Sequence, residues 1–416
     1  MLLSFRVANV RSFRDEQEVL LVAQAADDTR WVRDVQLEAG QGLAVYPLIG
    51  VFGANASGKS NLLIALYEMR QAVLRSYADW ASRPGVPREV FNLDPEAASR
   101  VSFFEIDFIE SGVRYTYGFE LSAERVEGEW LHAYPRGHRQ VWLDRDASRA
   151  RQFEFPSERL RDRAQLVRLT RPDALFLSVA GASNHPQLGP LFAWFRRNLL
   201  WASPDKNLRI REDFTRQELR GVKRDRIEAL LRVADLGIQR IELVDPHDTS
   251  TEQEVRLWHA GSHGDSYPVA WEDESFGTRS WFALLGPALI ALDEGRVLLI
   301  DELDASLHPR FAAEVIRLFQ DPEVNTRGGQ LIFTSHDVTV LGAQPGDRLL
   351  DPGQVWLVEK DKSGASSLFP LTDAQPRPGE DLLVSYLAGR FGGVPALSEG
   401  QIGRRLRALR GAEGAA

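Results

Sequence analysis

Apolar and polar positions along the chain alternate between two periods. Residues 2–10, LLSFRVANV, read as a strand, with a second near 19–23 and a third, mostly apolar, across 42–52. A continuously apolar strand implies burial on both faces, as in a parallel sheet. Helical spacing then runs from Asn61 to about Trp80 through Leu62, Leu63, Leu66, Met69 and Val73. Residues 82–94, with two prolines, read as a loop. Beyond it Phe104, Ile106 and Phe108 alternate with Glu105 and Asp107. A turn at Glu110-Ser111-Gly112 follows, and alternation resumes through Val113, Tyr115, Tyr117 and Phe119. That is a half-exposed antiparallel hairpin, different in kind from the strand before the helix. From about 125 to 235 the pattern is mainly helical, clearest over 225–236 and stopped by Gly237. A strand at 238–244, a helix at 276–292 and a short apolar strand at 297–300 come next. A helix over 309–319 with proline in its first turn precedes a buried strand at 330–334. Strands at 355–358 and 366–370 and helices at 381–388 and 398–410 close an α/β chain without internal repeats, low-complexity tracts or sustained heptads.

Composition narrows the class. A chain of 416 residues holds one elaborated domain or two to three ordinary ones. Apolar residues at 44% and charged residues at 26% are a globular balance. Cysteine is absent, which removes disulfides, Cys-zinc sites and thiol nucleophiles and fits a cytoplasmic protein. The opening MLLSFRVANVRSF meets charge before a signal-peptide core forms, and no run of about 18 apolar residues suggests a membrane span. The net charge of −9 argues against a whole-protein nucleic-acid footprint. The charge is uneven, however. Residues 136–171 hold ten arginines against five acids, and 196–226 ten Arg and Lys against five. Such runs are either solvated faces or a surface for nucleic acid or an acidic partner.

The chemistry is concentrated in 48–63, LIGVFGANASGKSNLL. An apolar strand leads into GANASGKS, which opens a helix, the context required of a phosphate loop. Gly53, Ala54, Asn55, Ala56, Ser57, Gly58, Lys59, Ser60 and Asn61 are the expected nucleotide contacts. The glycines let backbone N–H groups approach phosphate, Lys59 reaches the β/γ oxygens, and Ser60 offers its hydroxyl to Mg²⁺. The helix start adds its partial positive charge. Some 240 residues later the strand at 297–300 ends in Asp301-Glu302. Asp301 is the expected Mg²⁺ ligand and Glu302 the base that orients and deprotonates water; a capping acid at a strand-to-helix turn is the plainer alternative. His259 and His263 lack a carboxylate pattern that would suggest a metal, and His308 before Pro309 reads as structural.

VLLIDELDASLHP, over 297–309, resembles the Walker B and D-loop of ABC-type ATPases of the SMC, RecF and OLD group. TSHD at 334–337 resembles that group's H-loop, ESFGT at 274–278 its signature, and NVRSF at 9–13 its N-terminal N-F-R-S segment. The segments occur in the group's order, and the likeness spans about 1–121 and 238–372. FEIDF, TRPDALFLS, NHPQLGPLFAWF, VWLVEKD and YLAGRFGGVP are similar to stand-alone OLD-like ATPases of bacterial abortive-infection and phage-defence operons. The resemblance implies an ABC-type ATPase head, split over 1–124 and 236–416, with parallel phosphate-loop and antiparallel lobes. An Arg-rich, mainly helical insertion at 125–235 interrupts it. It also implies ATP and Mg²⁺ as ligands, His336 as a γ-phosphate contact, and Arg11 and Ser12 near the nucleotide. Capping or core-edge packing is the alternative for His336, and a surface turn for Arg11 and Ser12. Ser275 and Gly277 of a second copy would close over the phosphate in a head-to-tail dimer. Phe276 replaces the first glycine of the usual L-S-G-G-Q, and a Q-loop glutamine is absent, with Asn92 the substitute candidate.

Three outputs fit these features. The first is a defence ATPase that controls a nuclease or toxin effector, often an RloB- or Toprim-type protein encoded nearby. The second is a RecF-like ATPase that binds DNA through the Arg-rich stretch. The third is a nucleotide-gated scaffold. A likeness of fold does not choose among them.

Overall fold

A computed structural model of the protein describes residues 1–23, 29–202, 208–235, 237–244, 254–305, 307–342, 348–377, 379–394 and 400–413. Two large sheets organise it. One contains, in spatial order, the strands Leu199–Ala202, Val297–Ile300, Gln330–Thr334, Leu48–Gly53, Val355–Lys360 and Ser366–Pro370. Neighbours are parallel except for the last pair. The three strands at its centre, VLLI, QLIFT and LIGVFG, are buried along their whole length. The helices Lys59–Asp79, Phe276–Glu294 and Pro309–Gln320 pack against it, which explains the unbroken apolar runs.

The other sheet is antiparallel. Its order is Phe153–Glu154, Gln140–Asp146, Val126–Ala133, Val113–Leu121, Ser102–Glu110, Leu2–Ala8 and Gln17–Leu20. Ser111 and Gly112, at φ 49° and 74°, make the two-residue turn of the expected hairpin. A three-stranded sheet, Ile238–Val244, Glu254–Ala260 and Ser266–Ala270, precedes Phe276–Glu294. The division into a parallel phosphate-loop sheet and an antiparallel lobe is the one expected.

Three details differ from the sequence reading. The apolar stretch 42–52 is two strands: Gly42–Val45 pairs with Arg33–Gln36, and Leu48–Gly53 joins the parallel sheet. Tyr46-Pro47 separates them, because Pro47 brings no N–H to continue a ladder. The second strand is Gln17–Leu20, shifted from 19–23. The stretch 125–235 contains the helices Arg163–Leu169, Phe176–Ala182, Gly189–Asn198, Leu208–Glu218 and Arg224–Ala234. It also supplies three strands to the antiparallel sheet and the edge strand Leu199–Ala202 to the parallel one. Leu236 and Ser398, at the expected ends of two helices, lie outside the described residues. Among those described, no helix is long and apolar enough to cross a membrane.

Two buried polar devices lock the layers. Gln330, 1% exposed, accepts from the Leu2 amide at 2.6 Å and donates to the Leu2 carbonyl at 2.9 Å, tying the parallel sheet to the antiparallel one. Glu129, fully buried, faces Arg145 at 3.4 Å. It also accepts from the Tyr117 hydroxyl and from the amides of Phe176 and Leu177. Arg145 in turn donates to the carbonyls of Ala174, Arg171 and Pro172. The pair docks Phe176–Ala182 onto the sheet. Removing one partner strands the other charge without solvent. Glu129→Ala is therefore expected to destabilise the protein by about 3–5 kcal/mol in urea unfolding; a loss under about 1 kcal/mol would show that the site rehydrates.

Candidate nucleotide-binding site

The phosphate loop connects Leu48–Gly53 to the helix Lys59–Asp79. Gly53 and Gly58 have φ of 157° and 115°. A Cβ on Gly53 would strike the Val358 carbonyl, and one on Gly58 the hydroxyls of Ser366 and Ser12. Glycine is required at Gly58 by conformation and at both by space. The loop is braced from behind. Ser366 donates to the Ser57 carbonyl at 2.5 Å, its hydroxyl lies 2.8 Å from that of Ser12, and Asn61 donates to the Ser12 hydroxyl at 2.7 Å.

The residues fit a polyphosphate. The helix starting at Lys59 has no side-chain cap, so its first N–H groups are free of that competition. The Ser57 hydroxyl is buried without a partner among the described residues. Lys59 is 4% exposed, and its Nζ donates to the carbonyls of Gly53 at 2.8 Å and Ala54 at 3.1 Å. Asn55 and Ala56 are exposed at the loop tip, and Ser60 is half-buried.

The acids arrive from neighbouring strand ends. Val297–Ile300 and Gln330–Thr334 run parallel, which places Asp301-Glu302 beside Thr334-Ser335-His336. The Thr334 hydroxyl donates to Asp301 Oδ1 at 2.7 Å and accepts from the Glu302 amide at 2.8 Å. Glu302 has a φ of 53°, the left-handed region, where a side chain points differently from a strand continuation. Ser335 Oγ and the His336 amide both donate to Asp304 Oδ1, at 2.7 and 3.1 Å.

His336 joins the two halves. Its Nδ1 is 3.2 Å from Lys59 Nζ, and its Nε2 is 3.4 Å from Glu302 Oε1. An ammonium can only donate, so Nδ1 accepts and the ring proton belongs on Nε2, facing Glu302. Asp301 and Ser60, an acid and a hydroxyl, are the oxygen donors that suit Mg²⁺.

Ser275 and Gly277 stand apart. Both are exposed at the start of Phe276–Glu294, and Ser275 accepts from the Thr278 amide at 3.0 Å as that helix's N-cap. Phe276 between them is 59% exposed. No hydrogen bond among the described residues connects them to the phosphate loop. Arg11 pairs with Glu68 at 2.7 Å and Glu89 at 3.0 Å, while Ser12 buttresses the loop. Asn92 is exposed on the loop after Phe91. His308 is the N-cap of Pro309–Gln320, accepting from the Arg310 amide, and His259 contacts Glu274. Sequence reasoning missed Ser366 and the roles of Thr334 and Asp304. Asp304 lay within the segment already singled out, but the pairing with Ser335 shows only when the strands are side by side.

The Arg-rich runs are partly internal. Arg145 is buried, Arg149 pairs with Asp144 and Asp146, and Arg216 with Asp213 and Glu212. Arg196 and Arg197 remain exposed at the end of Gly189–Asn198.

Burial pulls the Lys59 ammonium down to about 8, with Asp304, Glu302 and Asp301 pulling the other way. In the free protein its charge is thus lost as pH rises through about 8. A bound polyphosphate favours the charged form. ATP binding at pH 8 is expected to take up about half a proton, falling towards zero near pH 6.5. Calorimetry in buffers of different ionisation enthalpy measures this. Lys59→Arg should abolish the uptake, and a buffer-independent enthalpy at pH 8 in the wild type would rule it out.

Residues 48–342 match a protein family described as an AAA domain, putative AbiEii toxin, type IV TA system. No curated protein matches the chain in sequence. Similar solved structures include an SMC head bound to the C-winged helix domain of ScpA, with 15% identity, a TM-score of 0.45, and 90% of this chain and 99% of that one covered. The SMC head domain from Thermotoga maritima has 11% identity and a TM-score of 0.39, over 89% and 98%. The cbiO1 protein from Clostridium perfringens, part of the ABC transporter complex cbiONQ, has 11% identity and a TM-score of 0.25, over 81% and 80%.

Proposed function

The chain belongs to the AAA-domain family described as putative AbiEii toxin of type IV TA systems, and we propose that it is an ATP-hydrolysing switch controlling an effector in bacterial anti-phage defence. The observation that carries the ATPase reading is the connected line Lys59–His336–Glu302, which runs from the phosphate loop to a strand-end carboxylate. Gly53 to Asn61 cradle the polyphosphate, and Lys59 exchanges its carbonyl partners for phosphate oxygens. Ser60 and Asp301 would hold Mg²⁺, which would supply positive charge to offset that of the phosphate oxygens. Glu302 orients water and accepts its proton, with His336 Nε2–H fixing the carboxylate and lying near the γ-phosphate.

The exposed pair Ser275 and Gly277 supports a composite site. A second copy would bring its helix N-terminus over the γ-phosphate, so that ATP holds two heads together and hydrolysis releases them. The regulatory output draws support from the family's toxin–antitoxin description and from the likeness to OLD-like operon ATPases. The partner in this reading is an RloB- or Toprim-type nuclease or a toxin.

Lys59→Ala is expected to abolish ATP binding. Glu302→Gln should keep binding, lower turnover by at least about 100-fold, and accumulate an ATP-bound dimer. Calorimetry, phosphate release and light scattering read the three quantities. Wild-type turnover in Glu302→Gln would remove the base assignment, and a monomeric ATP-bound Glu302→Gln variant would remove the dimer. DNA binding with a steep salt dependence, lost in Arg196→Ala/Arg197→Ala, would instead favour direct action on DNA.

A further inference from the structure

The helix Phe276–Glu294 begins between two interactions. On its N-terminal side stands Glu274, whose side chain is 5% exposed and whose Oε1 lies 2.8 Å from His259 Nε2. An ionised carboxylate only accepts, so the ring proton belongs on Nε2. His259 sits on Glu254–Ala260, the middle strand of the three-stranded sheet, which therefore anchors the residue just before Ser275. With the carboxylate turned inward, its charge is kept off the surface that Ser275 presents. On the other side is Thr278, 9% exposed. Its amide donates to Ser275 Oγ at 3.0 Å, and its hydroxyl lies 2.8 Å from the same oxygen. Burial decides which hydroxyl donates. Among the described residues the Thr278 hydroxyl has Ser275 as its one hydrogen-bond partner, and a buried O–H without an acceptor is costly. Ser275 is exposed and can place its own proton elsewhere. Thr278 is thus the donor. Both lone pairs of Ser275 Oγ are then occupied by Thr278, and its single proton is left for an acceptor outside the helix.

We propose that Thr278 and the His259–Glu274 pair are positioning residues that present the Ser275 hydroxyl, as a donor only, to the γ-phosphate bound on a second copy of this chain. The proposal rests on the composite-site reading and specifies what makes that half of the site competent. A hydroxyl whose acceptor capacity is used up can only donate, which suits a phosphate oxygen. A donor fixed in advance need not reorient when the ligand arrives, the condition under which such a group contributes most. The departures from L-S-G-G-Q gain a physical account as well. Glu274 and Thr278 stand where that pattern has leucine and glutamine, and each has a defined contact on one side of Ser275. The helix start is held from below too. Arg279 pairs at 2.9 Å with Glu212, 2% exposed, and Trp271 packs on Phe282 with ring centroids 4.7 Å apart. With residues 271–279 anchored at these points, Glu274 sets where the Ser275 oxygen lies and Thr278 sets where its proton points.

The test uses variants of the full chain, alone and mixed. Thr278→Val, which keeps the buried shape and removes the hydroxyl, is expected to lower ATP turnover about tenfold. Its affinity for ADP, which lacks the γ-phosphate, should stay at the wild-type value in calorimetry, because its own phosphate loop is intact. Thr278→Ser should restore turnover. Glu274→Ala should behave like Thr278→Val, and Glu274→Gln, whose amide oxygen still accepts from His259, should keep most of the activity. Mixing supplies the readout that a merely structural role would not move. Lys59→Ala lacks its own nucleotide but carries an intact Ser275. Added in excess to Thr278→Val, it should raise phosphate release per Thr278→Val chain several-fold, since the ATP of that chain then meets a wild-type Ser275. Ser275→Ala mixed with Lys59→Ala is the control. No rise in that control would overturn the composite site itself. A rise in the control without one for Thr278→Val would overturn the positioning role alone. So would wild-type turnover in Thr278→Val or Glu274→Ala, or a Thr278→Ser variant as slow as Thr278→Val.

Discussion

A lysine ammonium held at 4% exposure must find acceptors or lose its charge. Lys59 finds three: the carbonyls of Gly53 and Ala54 and the Nδ1 of His336. Two belong to its own loop and one to the end of Gln330–Thr334. Burying a single cation therefore fixes the loop's curl and its distance from the neighbouring strand. Sheet topology makes this feasible, because Thr334 pairs with Val51 in parallel register and both strands end on the same edge. In open parallel sheets that carboxyl edge is where ligands bind. The site follows from one sheet edge and one charge.

Around that cation, the hydroxyls set the acids. Thr334 holds Asp301 by the side chain and Glu302 by the backbone, while Ser335 holds Asp304. Each contact joins the end of Val297–Ile300 to the end of Gln330–Thr334. Behind the loop, Ser12 and Ser366 come from opposite ends of the chain and meet at 2.8 Å. Gly58 leaves them no room to spare. The nucleotide loop is thus braced by the first strand's exit and the last strand's entry, so the cradle takes its shape from both lobes.

Much of this was legible in the residues. GANASGKS between an apolar strand and a helical period, and VLLI ending in Asp-Glu, are local patterns whose meaning survives folding. Less legible was anything set by pairing. The run 42–52 is apolar on both sides of Pro47, and only the missing N–H separates two strands that enter different sheets. VEGEWLHA, over Val126–Ala133, alternates weakly because its inward face includes the buried Glu129 and its outward face Gly128 and Trp130; a charged residue reads as surface until Arg145 is seen opposite. Arginine-rich composition likewise suggested a basic face, yet Arg145 is consumed inside the protein and Arg216 in half-buried ion pairs. Residue types report burial only on average, and paired charges are where that average fails.

The strand Ser366–Pro370 ties the phosphate loop to the outer edge of the parallel sheet. Ser366, at one end, holds the phosphate loop through the Ser57 carbonyl. Leu368, Phe369 and Pro370, two to four residues on, lie beside Trp356 at the edge of the sheet. Beside them, Val355–Lys360 pairs with both the loop strand and this one. Close-packed interiors transmit small displacements because they have no free volume to absorb them. At Gly58 the packing is tight enough to exclude a single methyl group. A displacement of Ser366–Pro370 is therefore passed to the phosphate loop through the Ser366–Ser57 contact rather than absorbed, so the outermost strand of the parallel sheet is part of the frame that gives the cradle its shape.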